Sequence, residues 1–125
     1  LIYRYDETAQ YLLRITYDES VKSRTLGILR IDHDDFDLPL GKQEIVLADG
    51  PVYLRVSVHR GSGYFSYSYD GVHFTDIPYE IDATILSDDY AALGFTGAYV
   101  GMACYDLLYT QQSFADFSSF TYQAL

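Results

Sequence analysis

The chain has 125 residues, 49% of them hydrophobic, which excludes disorder, and no apolar run long enough to span a membrane. Its formal net charge of −10, with 8 Lys and Arg scattered among 18 Asp and Glu, repels phosphate, so neither nucleic acid nor an anionic membrane is an expected partner. A single cysteine, Cys104, excludes an internal disulfide and favours a reducing, cytoplasmic setting without requiring one.

In chain order the pattern is one of short strands with a period of two. Leu1–Tyr5 (LIYRY) already reads as strand, with no turn before it, so its edge is expected to be exposed unless another segment or chain covers it. The start at Leu1, without Met or a basic-then-apolar leader, is expected to follow a removed or upstream segment. Gln10–Tyr17, Leu26–Ile31 and Glu44–Ala48 are the next strands, separated by the polar stretches 18–24 and 32–42. Val52–His59 alternates cleanly, Val52, Leu54, Val56 and Val58 on a dry face and Tyr53, Arg55, Ser57 and His59 on a wet one. Arg60–Gly63 turns the chain into Tyr64–Tyr69, and Asp70-Gly71 into Val72–Ile77, which predicts a three-stranded meander. After Pro78, Ile81–Leu86 reads as strand and Ser87–Gly94 as one or two helical turns, with a Ser cap at its start and Gly at its end. Gly97–Tyr105 and Ala115–Tyr122 are expected to close the chain as strands. The sum is an all-β chain, one domain over residues 1–125, folded as an antiparallel β-sandwich or jelly roll.

Few residues suggest chemistry. His33, His59 and His73 have no spacing that would gather them as zinc ligands, and Cys104, alternating with Met102 and Val100, is expected on a core face. The Asp34-Asp35 and Asp88-Asp89 pairs make poor acid/base couples, because adjacent strand residues point apart and loop carboxylates are solvated. Fourteen Tyr and no Trp suit sheet faces whose hydroxyls reach water. Tyr53, Tyr64, Tyr67 and Tyr69 are the nearest candidates for stacking on a sugar, although Tyr67 and Tyr69 share a face with Phe65 and so look more like core or interface. Phe95 stands in Gly94-Phe95-Thr96-Gly97, an aromatic ring among flexible neighbours, and the residues alone leave it open between a cap on the core and a ring carried outward by a loop.

Five stretches in order, Gly50–Val56 (GPVYLRV), Tyr67–Gly71 (YSYDG), Ala83–Asp89 (ATILSDD), Gly94–Gly101 (GFTGAYVG) and Ala115–Phe117 (ADF), resemble the C-terminal β-sandwich of family 43 glycoside hydrolases of the β-xylosidase type, over nearly the whole chain. The resemblance implies a concanavalin A-like, laminin-G-like sandwich that follows a five-bladed propeller carrying the catalytic carboxylates. Those enzymes release xylose, and sometimes arabinose, from xylo-oligosaccharides with inversion. The chain is shorter than the family's full sandwich, so the sandwich is expected to lack its first strands here. It further implies that Phe95, with Thr96 beside it, is the loop residue projected into the propeller's pocket as an apolar wall. No catalytic residue is expected in this chain, and the propeller, the oligosaccharide and further copies in a homo-oligomer are the expected partners. No cofactor is implied, except that Asp116, placed in the last strand, could hold a structural calcium ion with backbone carbonyls. The alternative function is a free-standing carbohydrate-binding module that recognises xylan by tyrosine stacking.

Overall fold

The structure, a computed structural model, describes residues 1–86, 98–104 and 115–123. Nine strands are found among them: β1 (Ile2–Asp6), β2 (Ala9–Asp18), β3 (Ser23–Asp32), β4 (Asp35–Asp37), β5 (Ile45–Val46), β6 (Tyr53–His59), β7 (Ser62–Ser68), β8 (Thr75–Asp82) and β9 (Tyr99–Gly101). They form two antiparallel sheets, one in the order β4-β3-β2-β1-β9 with β5 also on β3, the other β6-β7-β8. The all-β antiparallel architecture is the one expected from the alternation.

β1 to β4 and β6 to β8 are meanders joined by turns that the local residues dictate. Asp6 Oδ1 accepts from the backbone of Thr8 (2.7 Å) and Ala9 (3.1 Å), which folds β1 back on β2. Between β6 and β7 the register pairs His59 with Ser62, so the turn is Arg60-Gly61 alone, both with positive φ (48° and 83°). That backbone matches the twist of the flanking strands, and glycine reaches it without strain. Ser62 and Gly63, expected in the turn, are already strand.

The inner faces meet in one core. Tyr3, Tyr5, Tyr11, Leu13, Leu26 and Ile28 of the larger sheet pack with Phe65, Ile77 and Ile81 of the smaller one. Tyr11, Phe65, Leu13, Leu26, Ile28, Ile77 and Ile81 are at most 1% exposed, so each of these side chains contributes its full burial, on the order of 2 kcal/mol. Leu54, Val56 and Val58 line the inner side of β6, as their alternation predicts, and are half-buried.

β1 is not left as a bare edge. Its second side pairs with β9 through Ile2↔Gly101, Tyr3↔Val100 and Arg4↔Tyr99, so a late segment of the chain covers the first strand.

Several expectations are corrected. The strand expected at Glu44–Ala48 reduces to Ile45–Val46, after a 3-10 turn at Gly41–Gln43. Within the polar stretch 32–42, Asp35–Asp37 does form a strand, since a two-residue turn at His33-Asp34 (His33 φ 56°) returns the backbone onto β3 whatever the side chains are. The Asp70-Gly71 turn exists but is wider than a tight hairpin: Tyr67 pairs with Thr75, so Val72–Phe74 belong to the connection. β8 runs through Pro78 on the edge of its sheet, where a register shift accommodates the missing N–H. It stops at Asp82, and Ala83–Leu86 is a 3-10 turn rather than strand. Asp82 Oδ1 accepts from the Thr84 backbone (3.0 Å), which pulls the chain out of the sheet and drops Ile85 and Leu86 into the core.

Cys104 is exposed, not on a core face, because the ladder with β1 ends at Gly101 and leaves no partner to hold residues 102–104 in alternation among those described. Residues 115–123 carry no strand. Phe117, Phe120 and Tyr122 there are 50%, 47% and 77% exposed, and β-propensity without a partner strand among the described residues does not make a ladder. The helix expected at Ser87–Gly94 lies outside the described residues.

Candidate functional site

Phe95 and Thr96 lie outside the described residues; the structure describes the chain on either side of them, up to Leu86 and from Ala98. Upstream, Ile85 and Leu86 are 3% and 2% exposed, and the Ala83 amide donates to the Gly61 carbonyl (2.9 Å), tying the 3-10 turn to the β6–β7 hairpin. Downstream, Tyr99 opens β9 opposite Arg4, whose guanidinium lies 5.6 Å from the centre of the Tyr99 ring. Residues 87–97 therefore connect a segment buried in the core to a strand paired with β1.

Beneath these segments the inner face turns polar. The row Tyr3, Tyr11, Arg30, Asp37 crosses β1 to β4 side by side, and Tyr79 of the other sheet approaches Tyr11 with ring centres 6.4 Å apart. The buried Tyr11 hydroxyl donates to the Asp82 carbonyl (3.1 Å), which bridges the two sheets. Arg30 pairs with Asp32 (2.8 Å) and also reaches the Tyr11 hydroxyl. Burial is the main reason the phenols resist ionisation. Tyr79 is pushed up to about 12, Tyr11 beside it adding to the shift, and Tyr3 and Tyr11 are raised as well. Neutral phenols bonded to a carbonyl and a guanidinium make a structural strap, not an acid or base poised near neutrality.

The carboxylates have turn duties. Asp6, Asp18 and Asp70 each accept backbone and side-chain hydrogen bonds from residues two or three further on, and these bonds hold all three below the usual carboxylate range. Asp70 is held furthest down, by His73, whose Nδ1 lies 2.6 Å from Oδ2. A glycosidase acid needs the opposite shift. The histidines stay apart: His33 meets Asp32, His73 meets Asp70, and His59 ends β6 on the outer face. Asp116 is exposed in a segment without strand, and no group of three or more His, Cys, Asp or Glu converges among the described residues.

The four tyrosines considered for sugar contact separate. Tyr53 and Tyr64 are on the outer face of the smaller sheet, 44% and 42% exposed. Tyr67 turns inward and meets Tyr69 edge-on at 5.9 Å, while the Tyr69 hydroxyl accepts from the Ala48 amide. The sequence did not reveal the Arg30–Tyr11–Tyr79 strap or the Arg4–Tyr99 stack, since both depend on which strands become neighbours.

Residues 1–123 match the family described as the beta xylosidase C-terminal concanavalin A-like domain. The chain is 37% identical over 113 residues to a putative beta-xylosidase of Escherichia coli (strain K12), covering 87% of this chain and 21% of that protein. It is 35% identical over 97 residues to a beta-xylosidase of Bacillus subtilis (strain 168), covering 75% of this chain and 18% of that protein. The crystal structure of xylan beta-1,4-xylosidase from Bacillus halodurans C-125 superposes with a TM-score of 0.78 at 32% identity, over 87% of this chain and 21% of that one. The chain thus spans about a fifth of the length of these relatives. With two antiparallel sheets around one core, and a match running from the first strand to residue 123, the chain belongs to the family of β-xylosidase C-terminal concanavalin A-like domains.

Proposed function

We propose that the chain is the accessory sandwich of a β-xylosidase: it packs on a five-bladed catalytic propeller and lends the Gly94–Gly97 loop to the mouth of that domain's pocket. Phe95 is the apolar wall and Thr96 its polar neighbour, so that the pocket admits short xylo-oligosaccharides and excludes bulk water. The cleavage itself, with inversion, belongs to the propeller, and the sandwich also contributes to contacts between copies. The observation that carries this reading is the family match over residues 1–123 in a chain that covers only a fifth of relatives named beta-xylosidase. In support, the described chain on either side of residues 87–97 is anchored, Ile85 and Leu86 by burial and Tyr99–Gly101 by pairing with β1.

The test is Phe95→Ala in the protein that joins this sandwich to its catalytic domain. The kcat/KM for xylobiose should fall about tenfold or more, the size of loss expected when an apolar pocket wall is removed. Kinetics equal to those of the parent would remove Phe95 from the pocket and overturn the reading.

A further inference from the structure

The outer face of the β6-β7-β8 sheet has a composition of its own. At every outward position of β6 and β7 the side chain is polar or aromatic: Tyr53, Arg55, Ser57 and His59 on one strand, Ser62, Tyr64, Ser66 and Ser68 on the next, Ser66 and Ser68 being buried under their bonds to Arg55 and to the backbone of Asp70 and Gly71. Leu, Ile, Val and Met are absent from those positions, so the face lacks the desolvated apolar centre a protein interface requires. What it offers instead is a line of flat groups. The Tyr53 ring lies against Gly71, where a Cβ would stand 3.1 Å from two ring carbons. The Arg55 guanidinium is 4.0 Å from the Phe74 ring centre, and its Nε donates to Ser66 Oγ (3.0 Å). Tyr64 follows on the next strand, opposite Ser57 on one side and Glu80 on the other.

Tyr53 and Tyr64 are four residues apart along the strands and one strand apart across the sheet, about 14 Å, or roughly the length of three sugar residues. We propose that this face is a carbohydrate-binding surface, separate from the catalytic pocket, that takes a neutral β-linked pyranose chain such as the xylan main chain. The sugar C–H faces stack on Tyr53 and Tyr64, and the Arg55–Phe74 pair fills the interval between them. Sugar hydroxyls donate to Glu80 and Asp76 and accept from Arg55. Charge complementarity selects the occupant: Asp76, Glu80 and Asp82 border the face and the chain carries −10, so a polyanion is repelled whereas an uncharged polyol donates to those carboxylates. The choice of xylan rests on the reading of the protein as a xylosidase; the surface itself does not.

The test is affinity electrophoresis, through gels containing soluble xylan, of the protein that joins this sandwich to its catalytic domain, with Tyr53→Ala, Tyr64→Ala and the double variant beside the parent. The parent should be retarded, each single variant should bind about fivefold or more weakly, and the double variant should run as in a blank gel. Hydrolysis of an aryl xyloside should be unchanged in all of them, while Phe95→Ala should leave retardation intact, so this surface and the pocket reading fail independently. Retardation by an uncharged β-glucan as well would keep the surface and widen its ligand class. An unretarded parent, or a double variant retarded as strongly as the parent, would overturn the proposal. So would a double variant that changes oligomeric state, because the face would then be a contact between proteins.

Discussion

Tyr11→Phe isolates the bond that pins one sheet to the other. The ring is fully buried and stays in place after the substitution, so no cavity term enters. What is lost is the hydroxyl's bond to the Asp82 carbonyl (3.1 Å) and its contact with Arg30. A bond to a neutral carbonyl is worth about 1 kcal/mol net, and the Arg30 contact adds up to about 1 more. Arg30 keeps Asp32 at 2.8 Å and its side chain is 27% exposed, so water can replace the phenol there. The expected loss is therefore about 1–2 kcal/mol, or about 4–8 °C in Tm for a domain of this size. Urea unfolding followed by near-ultraviolet circular dichroism should show the midpoint falling by about 0.5–1 M with an unchanged slope. An unaltered midpoint would refute the claim that this hydroxyl ties the sheets together. A loss above about 3 kcal/mol, the range of deleting a whole aromatic side chain, would mean that the ring itself had moved.

Alkaline pH should act through the same strap. Tyr79, raised to about 12, and Tyr3 and Tyr11, raised in the same direction, have folded pKa values above the unfolded value near 10, so their contribution is complete below about pH 10 and is lost as pH rises towards 12. Phenolate absorbance should show a late fraction appearing together with loss of native dichroism, and simultaneous titration of every tyrosine near pH 10 in a folded chain would refute this. Gly27→Ala places a Cβ 2.7 Å from Glu44 Cδ, so Glu44 must swing off its ion pair with Arg14 (2.6 Å) and off the Thr25 hydroxyl (3.2 Å). The gain from alanine in a strand offsets part of that loss, leaving about 0.5–1 kcal/mol of destabilisation. A cycle with Arg14→Met should be non-additive, and strictly additive effects would show that Glu44 had not moved.

Most of the strands are legible in the sequence because one face of each is buried, which writes a period of two into residues such as Leu54, Val56 and Val58. Where burial does not write the pattern, reading fails. Asp35–Asp37 is exposed throughout and is strand only because a turn folds it back, and Ile81–Leu86 looks like strand although Asp82 ends the ladder. Cys104 shows the converse: alternation continues in the sequence past Gly101, where the ladder with β1 ends among the described residues. The candidate site was legible only through resemblance, since an aromatic residue between glycines has no period. Contacts such as Arg4–Tyr99 and Arg55–Phe74 join residues whose nearness depends on strand order or on the width of a turn.

The pairing of β1 with β9 fixes an order of assembly. The β1-β2-β3 and β6-β7-β8 meanders are local and can form as soon as each has been made, whereas Tyr3 must wait for Val100. Until then the first strand keeps one flank open. The slowest step of refolding should therefore be the closing of that flank, and the nascent chain is most prone to mispair with its neighbours during that interval.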